Sequence, residues 1–191
     1  DGLIEATQVF HENEDLRVRL VALLRAWDLG LENVAIKDVT FTDPTNTKTM
    51  ERPFPFGIHK HGETTAERIF VQESSGTQGA YLLLASLLPA LNEGGLAVID
   101  ELEADLHPHM LVPVLDLFLS PNTNPRNAQI IFTCHAAEIL TLLEKQQIML
   151  VEKDDQGISD AWRLDSMRGV RKDDNLYAKY MAGAYGAVPR I

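Results

Sequence analysis

Asp100 and Glu101 are neighbouring carboxylates that follow a short apolar run, Leu96 to Ile99, launched by Gly94 and Gly95. Acids in this position suit phosphoryl chemistry, because one can hold Mg²⁺ through its water shell while the other polarises the attacking water. Asp100 is the expected metal residue and Glu101 the expected water residue. A plainer reading has Asp100 capping the next helix and Glu101 in solvent, and the pair alone does not separate the two. A second group, Ser74-Ser75-Gly76-Thr77, stands just before the apolar stretch Ala80 to Leu91. Small hydroxyl residues and a glycine at a helix start leave backbone N–H groups unpaired and aimed at one spot, which suits a phosphate; a plain serine N-cap is the alternative. A third candidate, His135, closes the run that begins at Ala128 and can donate a hydrogen bond to a terminal phosphate.

These residues need elements to hold them. Leu96 to Ile99 predicts a central strand, buried on both faces of a parallel sheet and ending at the carboxyl edge, where open α/β folds bind ligands. Met110 to Leu119 predicts an apolar helix and Ala128 to His135 a second buried strand. A right-handed crossover between the strands brings His135 to the edge that carries Asp100 and Glu101. Gln147 to Lys153 and Ser159 to Leu164 read as strands around the turn Asp154 to Gly157. The core sheet is thus expected from Leu96 to Ile99, Gln129 to Thr133 and Ile148 to Glu152.

Upstream, His11 to Leu29 reads as one amphipathic helix with Leu16, Leu20, Leu23, Leu24 and Trp27 on a stripe, stopped by Gly30. Asn33 to Thr42 alternates as a strand does, and the proline-bearing Asp43 to Pro55 reads as a loop. Phe56 to His61, the turn Gly62 to Thr64, and Glu67 to Val71 then form a hairpin. Its His59 and His61 share a face and are read as surface residues, since no third ligand stands nearby for zinc. His11, Glu12 and Asp15 lack the second histidine of a metal motif and read as a solvated helix start.

With 191 residues, 45% hydrophobic, and a net charge of -11, the chain has the composition of a globular domain and not of a wholly basic nucleic-acid surface. No apolar run is long enough for a membrane span, and the single Cys134 fits a reducing cytoplasm. Arg163, Arg168, Arg171 and Lys172 form the one basic cluster, which Asp165, Asp173 and Asp174 interrupt as in a charged surface loop. A rival for the centre is the alternation Glu101, Glu103, Asp105, His107, His109, which on an extended strand would line up metal ligands; Pro108 and the helix after it argue against that strand.

The order of the groups resembles the second half of an ABC-type ATPase head, of the soluble AAA kind related to SMC and overcoming-lysogenization-defect (OLD) proteins. Ser74 to Thr77 resembles the signature motif, Leu96 to Glu101 the Walker B strand, and Ala104 to Pro108 the D-loop. Phe132 to His135 resembles the switch-histidine strand, with Cys134 where the family more often has Thr. Tyr180 to Pro189 is similar to the close of a subgroup found in anti-phage defence systems. The resemblance covers most of residues 12–191. The sequence carries no Gly-x-x-x-x-Gly-Lys-Ser/Thr, the Walker A loop that cradles phosphates. A natural start upstream of Asp1 is the preferred explanation, with loss of ATP binding as the other.

The resemblance implies an α/β P-loop NTPase fold of ABC-head type, with a mostly parallel core sheet, flanking helices and an antiparallel hairpin arm. Residues 1–72 would be the helical segment and arm, and 73–191 the C-terminal lobe. ATP and Mg²⁺ are the implied cofactors. Glu101 and His135 would be catalytic, Asp100 would bind the metal, and Ser74, Ser75, Gly76, Thr77 and Asp105 would bind nucleotide. ATP would join two heads as a homodimer, and the cycle would switch a nuclease or other effector in nucleic-acid metabolism or phage defence, with DNA or RNA left open as a partner. The piece alone is expected to be inactive. The alternatives are a non-catalytic binding module and a transporter's nucleotide-binding subunit, from whose Leu-Ser-Gly-Gly-Gln-like signature Glu73 to Gln78 differs.

Overall fold

The helix expected over His11 to Leu29 is shorter at both ends, and a second helix precedes it. Helix α1 spans Gly2–Glu12 and α2 spans Glu14–Ala26. Asn13 separates them: its backbone leaves the helical region (φ -131°, ψ 103°) and its side chain accepts the Leu16 N–H at 3.1 Å. That satisfies a donor the new helix would otherwise leave open. Phe10 on α1 and Leu16, Leu20 and Leu24 on α2 are buried. The computed structural model describes residues 2–42 and 49–188.

An antiparallel sheet follows, of β1 (Asn33–Thr42), β2 (Thr49–His61) and β3 (Thr64–Ile69) in that order. The expected loop over Asp43 to Pro55 is corrected: Thr49 to Pro55 pairs with β1, in register from Thr42↔Thr49 to Ile36↔Pro55, while residues 43–48 lie outside the described residues. The pairing of β2 with β3 begins only at Phe56↔Ile69. Over Pro53 and Pro55, β2 therefore has a neighbour on one side only, where a strand tolerates proline. The hairpin turn stands as expected, but His59 is not a surface residue. Its side chain is 14% exposed and lies 2.7 Å from Glu73 Oε1, because β2 packs over the segment that leads into the next helix. The His61 side chain lies outside the described residues.

Helix α3 (Ser75–Glu93) starts where expected and buries Tyr81, Leu84, Leu87, Leu88 and Leu91. Tyr81 joins it to α1: its ring centroid lies 5.2 Å from that of Phe10 and 4.6 Å from that of Phe70, and its hydroxyl donates to Thr7 Oγ1 at 3.1 Å. Burial pushes the Tyr81 phenol up to about 12. Gly94 then ends α3 at φ +74°, where a side chain would also strike the Arg126 carbonyl, 2.6 Å from a Cβ.

Strands β4 (Leu96–Ile99) and β5 (Gln129–Phe132) are parallel, in register from Leu96↔Gln129 to Ile99↔Phe132, with α4 (Leu111–Leu119) on the crossover. Two expectations fail here. Strand β4 is not buried on both faces: Ala97 is 5% exposed but Leu96 is 52% and Val98 69%, since α3 covers one face and β5 is its sole strand partner among the described residues. The third core strand also fails, because β6 (Met149–Lys153) pairs antiparallel with β7 (Ser159–Arg163) and with no other described strand. A five-residue connection, 154–158, joins them, so each strand meets its antiparallel neighbour at once.

Contacts group the chain into the compact units Asp1–Thr133 and Cys134–Ile191. Helices α1 and α2 pack on α3. The second unit holds β6, β7 and α5 (Leu176–Met181) around Leu140, Ile148, Leu150, Leu164 and Tyr185. In it Arg163 pairs with Asp165 at 2.7 Å, as suits a charged surface loop. Among the described residues no helix is long and apolar enough to cross a membrane.

Candidate active site

The carboxylates stand where β4 ends, and one hydroxyl from the neighbouring strand holds both residues. The ladder runs one step past β5, with Thr133 N donating to Ile99 O at 3.1 Å and Leu102 N to Thr133 O at 3.0 Å. This brings the Thr133 hydroxyl between the two acids. It donates to Asp100 Oδ1 at 2.5 Å and accepts the Glu101 backbone N–H at 2.7 Å. Glu101 sits at φ +51°, a left-handed conformation that costs a non-glycine residue energy and gathers at functional sites. Thr133 was read only as part of a buried strand; its role needs the parallel register, which residue types do not reveal.

After Glu101 the chain turns tightly, with Ala104 N donating to Glu101 O at 2.8 Å and Leu106 N to Glu103 O at 3.0 Å. The extended strand of alternating ligands therefore does not form. His107 and His109 instead stack, 5.3 Å apart at 12°, and no group of three or more metal-capable side chains occurs among the described residues. Such a site does not suit zinc held wholly by protein. Asp100 and Glu101, both exposed oxygen donors, fit a Mg²⁺ ion that keeps most of its waters.

The turn also carries Asp105 onto the start of α3. Asp105 has φ +58°, its carbonyl lies 3.4 Å from where Gly76 would bear a Cβ, and its own Cβ lies 3.1 Å from that position at Gly79. Glycine is needed at Gly79 for this approach. Ser74 caps the helix: its Oγ accepts the Thr77 N–H at 3.1 Å and lies 2.8 Å from Thr77 Oγ1. Thr77 is thereby engaged and buried, which leaves Ser75 and Gly76, at the first helical positions, with N–H groups that have no acceptor within the helix. A cleft of about 270 Å³ runs along this seam, lined by Gly79, Leu83, Ser86, Glu101, Ala104 and Asp105. A larger hollow of about 590 Å³ in the second unit, beside Trp162 and Asp160, contains none of the candidate residues.

Within the first unit, then, Asp100 and Glu101 come together with Thr133, and Asp105 with Gly76 and Gly79. His135 follows β5 and belongs to the second unit.

Acids ending a parallel strand, a helix start beside the turn that follows, and helices around them define an α/β domain that fits a P-loop NTPase. The family model described as "AAA domain, putative AbiEii toxin, Type IV TA system" matches residues 8–141, well over half of the chain. The chain belongs to this family and carries its AAA-type, nucleotide-binding ATPase domain. No curated protein matches the chain.

Proposed function

We propose that the chain is part of an ABC-type ATPase head, related to SMC and OLD proteins, that hydrolyses ATP with Mg²⁺ and uses the cycle as a switch. The observation that carries this reading is the Thr133 hydroxyl bonded to both Asp100 and Glu101. It holds the Asp100 carboxylate and the Glu101 backbone at a strand end, which sets where the two acids start, as in-line attack on a phosphate requires. Glu101 orients the attacking water and takes its proton as the water oxygen bonds to the γ-phosphorus and the bond to the ADP oxygen breaks. Asp100 holds the Mg²⁺ shell, and Mg²⁺ when bound neutralises phosphate charge. His135 donates to the γ-phosphate. Such a head requires a phosphate-cradling loop in addition to these residues, since the sequence carries no Gly-x-x-x-x-Gly-Lys-Ser/Thr.

In this reading Ser74 to Thr77 serves a second head. The Ser75 and Gly76 N–H groups meet the γ-phosphate of ATP held by a partner copy, with Asp105 along the same seam. The positive helix end favours that phosphate by about 0.3 to 2 kcal/mol. Hydrolysis removes the shared group and releases the dimer. The effector is a nuclease or other toxic protein, in keeping with the toxin–antitoxin wording of the family description.

Sedimentation of the full-length protein tests this. Glu101→Gln should bind Mg-ATP, hydrolyse it at least about a hundredfold more slowly, and accumulate as a dimer. Gly76→Asp, whose added carboxylate repels the phosphate, should fail to dimerise. Parental turnover in Glu101→Gln removes the assigned role of Glu101, and ATP-driven dimers of Gly76→Asp remove that of the helix start.

A further inference from the structure

Glu73, the residue before the cap of α3, is one of the few charged side chains the fold buries: the residue is 8% exposed and its side chain 4%. His59 on β2 meets its Oε1 at 2.7 Å, and the other ring nitrogen, Nδ1, donates to Gly30 O at 2.9 Å. A carbonyl only accepts, so Nδ1 is the donor there, and Nε2 faces the carboxylate. Arg68 on β3 adds a longer contact to Oε2 at 3.9 Å. Strand β2 comes close enough for this only because residue 57 is glycine: a Cβ there would lie 2.5 Å from Glu73 Oε1 and 2.8 Å from Leu31 Cδ2. The backbone of Glu73 is held as well, its carbonyl accepting Gln78 Nε2 at 2.8 Å.

We propose that His59 and Glu73 are positioning residues: they clamp the antiparallel sheet to the start of α3 and so set where the Ser75 and Gly76 N–H groups stand. Glu73 adjoins Ser74, whose side chain and carbonyl hold the Thr77 and Gln78 N–H groups at 3.1 and 3.0 Å. A shift of the carboxylate therefore moves the first turn, and with it the face on which Asp105 packs. A load on the sheet, from whatever binds it, reaches the helix start through the contact of half-buried His59 with the buried Glu73 carboxylate, and removing His59 leaves that carboxylate the longer Arg68 contact. The functional value of the clamp rests on the proposed anion role of that helix start; the mechanical link does not.

Amide exchange on the full chain without nucleotide reads the link. His59→Leu, which keeps bulk but removes both bonds, and Gly57→Ala, which displaces the carboxylate and alters neither partner, should each speed exchange at Thr77 and Gln78 about tenfold or more. The Leu84 and Leu88 amides, mid-helix, should keep their parental rates. His59→Gln, which can still bond the carboxylate, should restore most of the protection. Parental rates at Thr77 and Gln78 in both variants, or equal acceleration all along α3, overturn the clamp. If His59→Leu does not fold, Gly57→Ala and His59→Gln decide the matter. Inorganic phosphate titrated into the parent judges the anion role separately: absence of shifts at the Ser75 and Gly76 amides overturns that role, and the exchange rates still decide the clamp.

Discussion

The antiparallel sheet and the parallel pair of the first unit are built on opposite principles. The antiparallel sheet runs through ten paired positions between β1 and β2, and its turn uses Gly62 for the positive φ. The parallel pair has four paired positions and leaves Leu96, Val98 and Ile131 exposed. The turn after it forces two acids, Glu101 and Asp105, into left-handed conformations. In the hairpin turn glycine takes the left-handed position; in the turn that presents carboxylates, acidic side chains occupy it at a cost of roughly 1 to 2 kcal/mol each.

Four measurements break or sharpen that contrast. The largest effect belongs to the helical layer, through Tyr81. Its folded pKa, about 12, lies above the ordinary 10, so the unfolded chain ionises first and the native state keeps its proton. The Tyr81 contribution is whole below pH 10 and is lost as the pH rises towards about 12, at about 1.4 kcal/mol per pH unit. Urea titrations at a series of pH values should show this slope in the parent and not in Tyr81→Phe.

The strand end comes next. Thr133→Val should cost about 1.5 kcal/mol and lower Mn²⁺ affinity, read by urea titration and calorimetry, while Thr133→Ser keeps both. If valine and serine behave alike, the Thr133 hydroxyl does not organise the acids. Glu101→Gly tests the strain itself. It should raise stability by roughly 0.5 to 1 kcal/mol while abolishing turnover, the reverse of an ordinary glycine substitution. A loss of stability would mean that Glu101 bears no strain. The smallest effect lies on the antiparallel sheet, where Lys37 reaches Glu67 at 2.6 Å in a solvent-exposed pair and lies over the Phe56 ring at 5.2 Å. Lys37→Met should cost about 0.5 kcal/mol or less at low salt and nothing measurable at 1 M salt.

By itself the sequence determined the punctuation and the chemistry. A helix starting at the Ser74 group, Leu96 to Ile99 as a strand behind two glycines and Asp100-Glu101 at its end are all legible there, because helix starts, turns and short apolar runs act through neighbours in the chain. Only the tertiary structure decided what lies across from what. It carried β2 through two prolines by pairing them, among the described strands, on one side only, and began the expected helix at Glu14 behind a capping asparagine with another helix before it. It paired β6 with β7 and with no other described strand, brought half-buried His59 onto Glu73, and set Thr133 between acids 32 and 33 residues away. Each of these depends on a hydrogen bond or a register between segments far apart in the chain, and the period of a single segment carries no information about its partner.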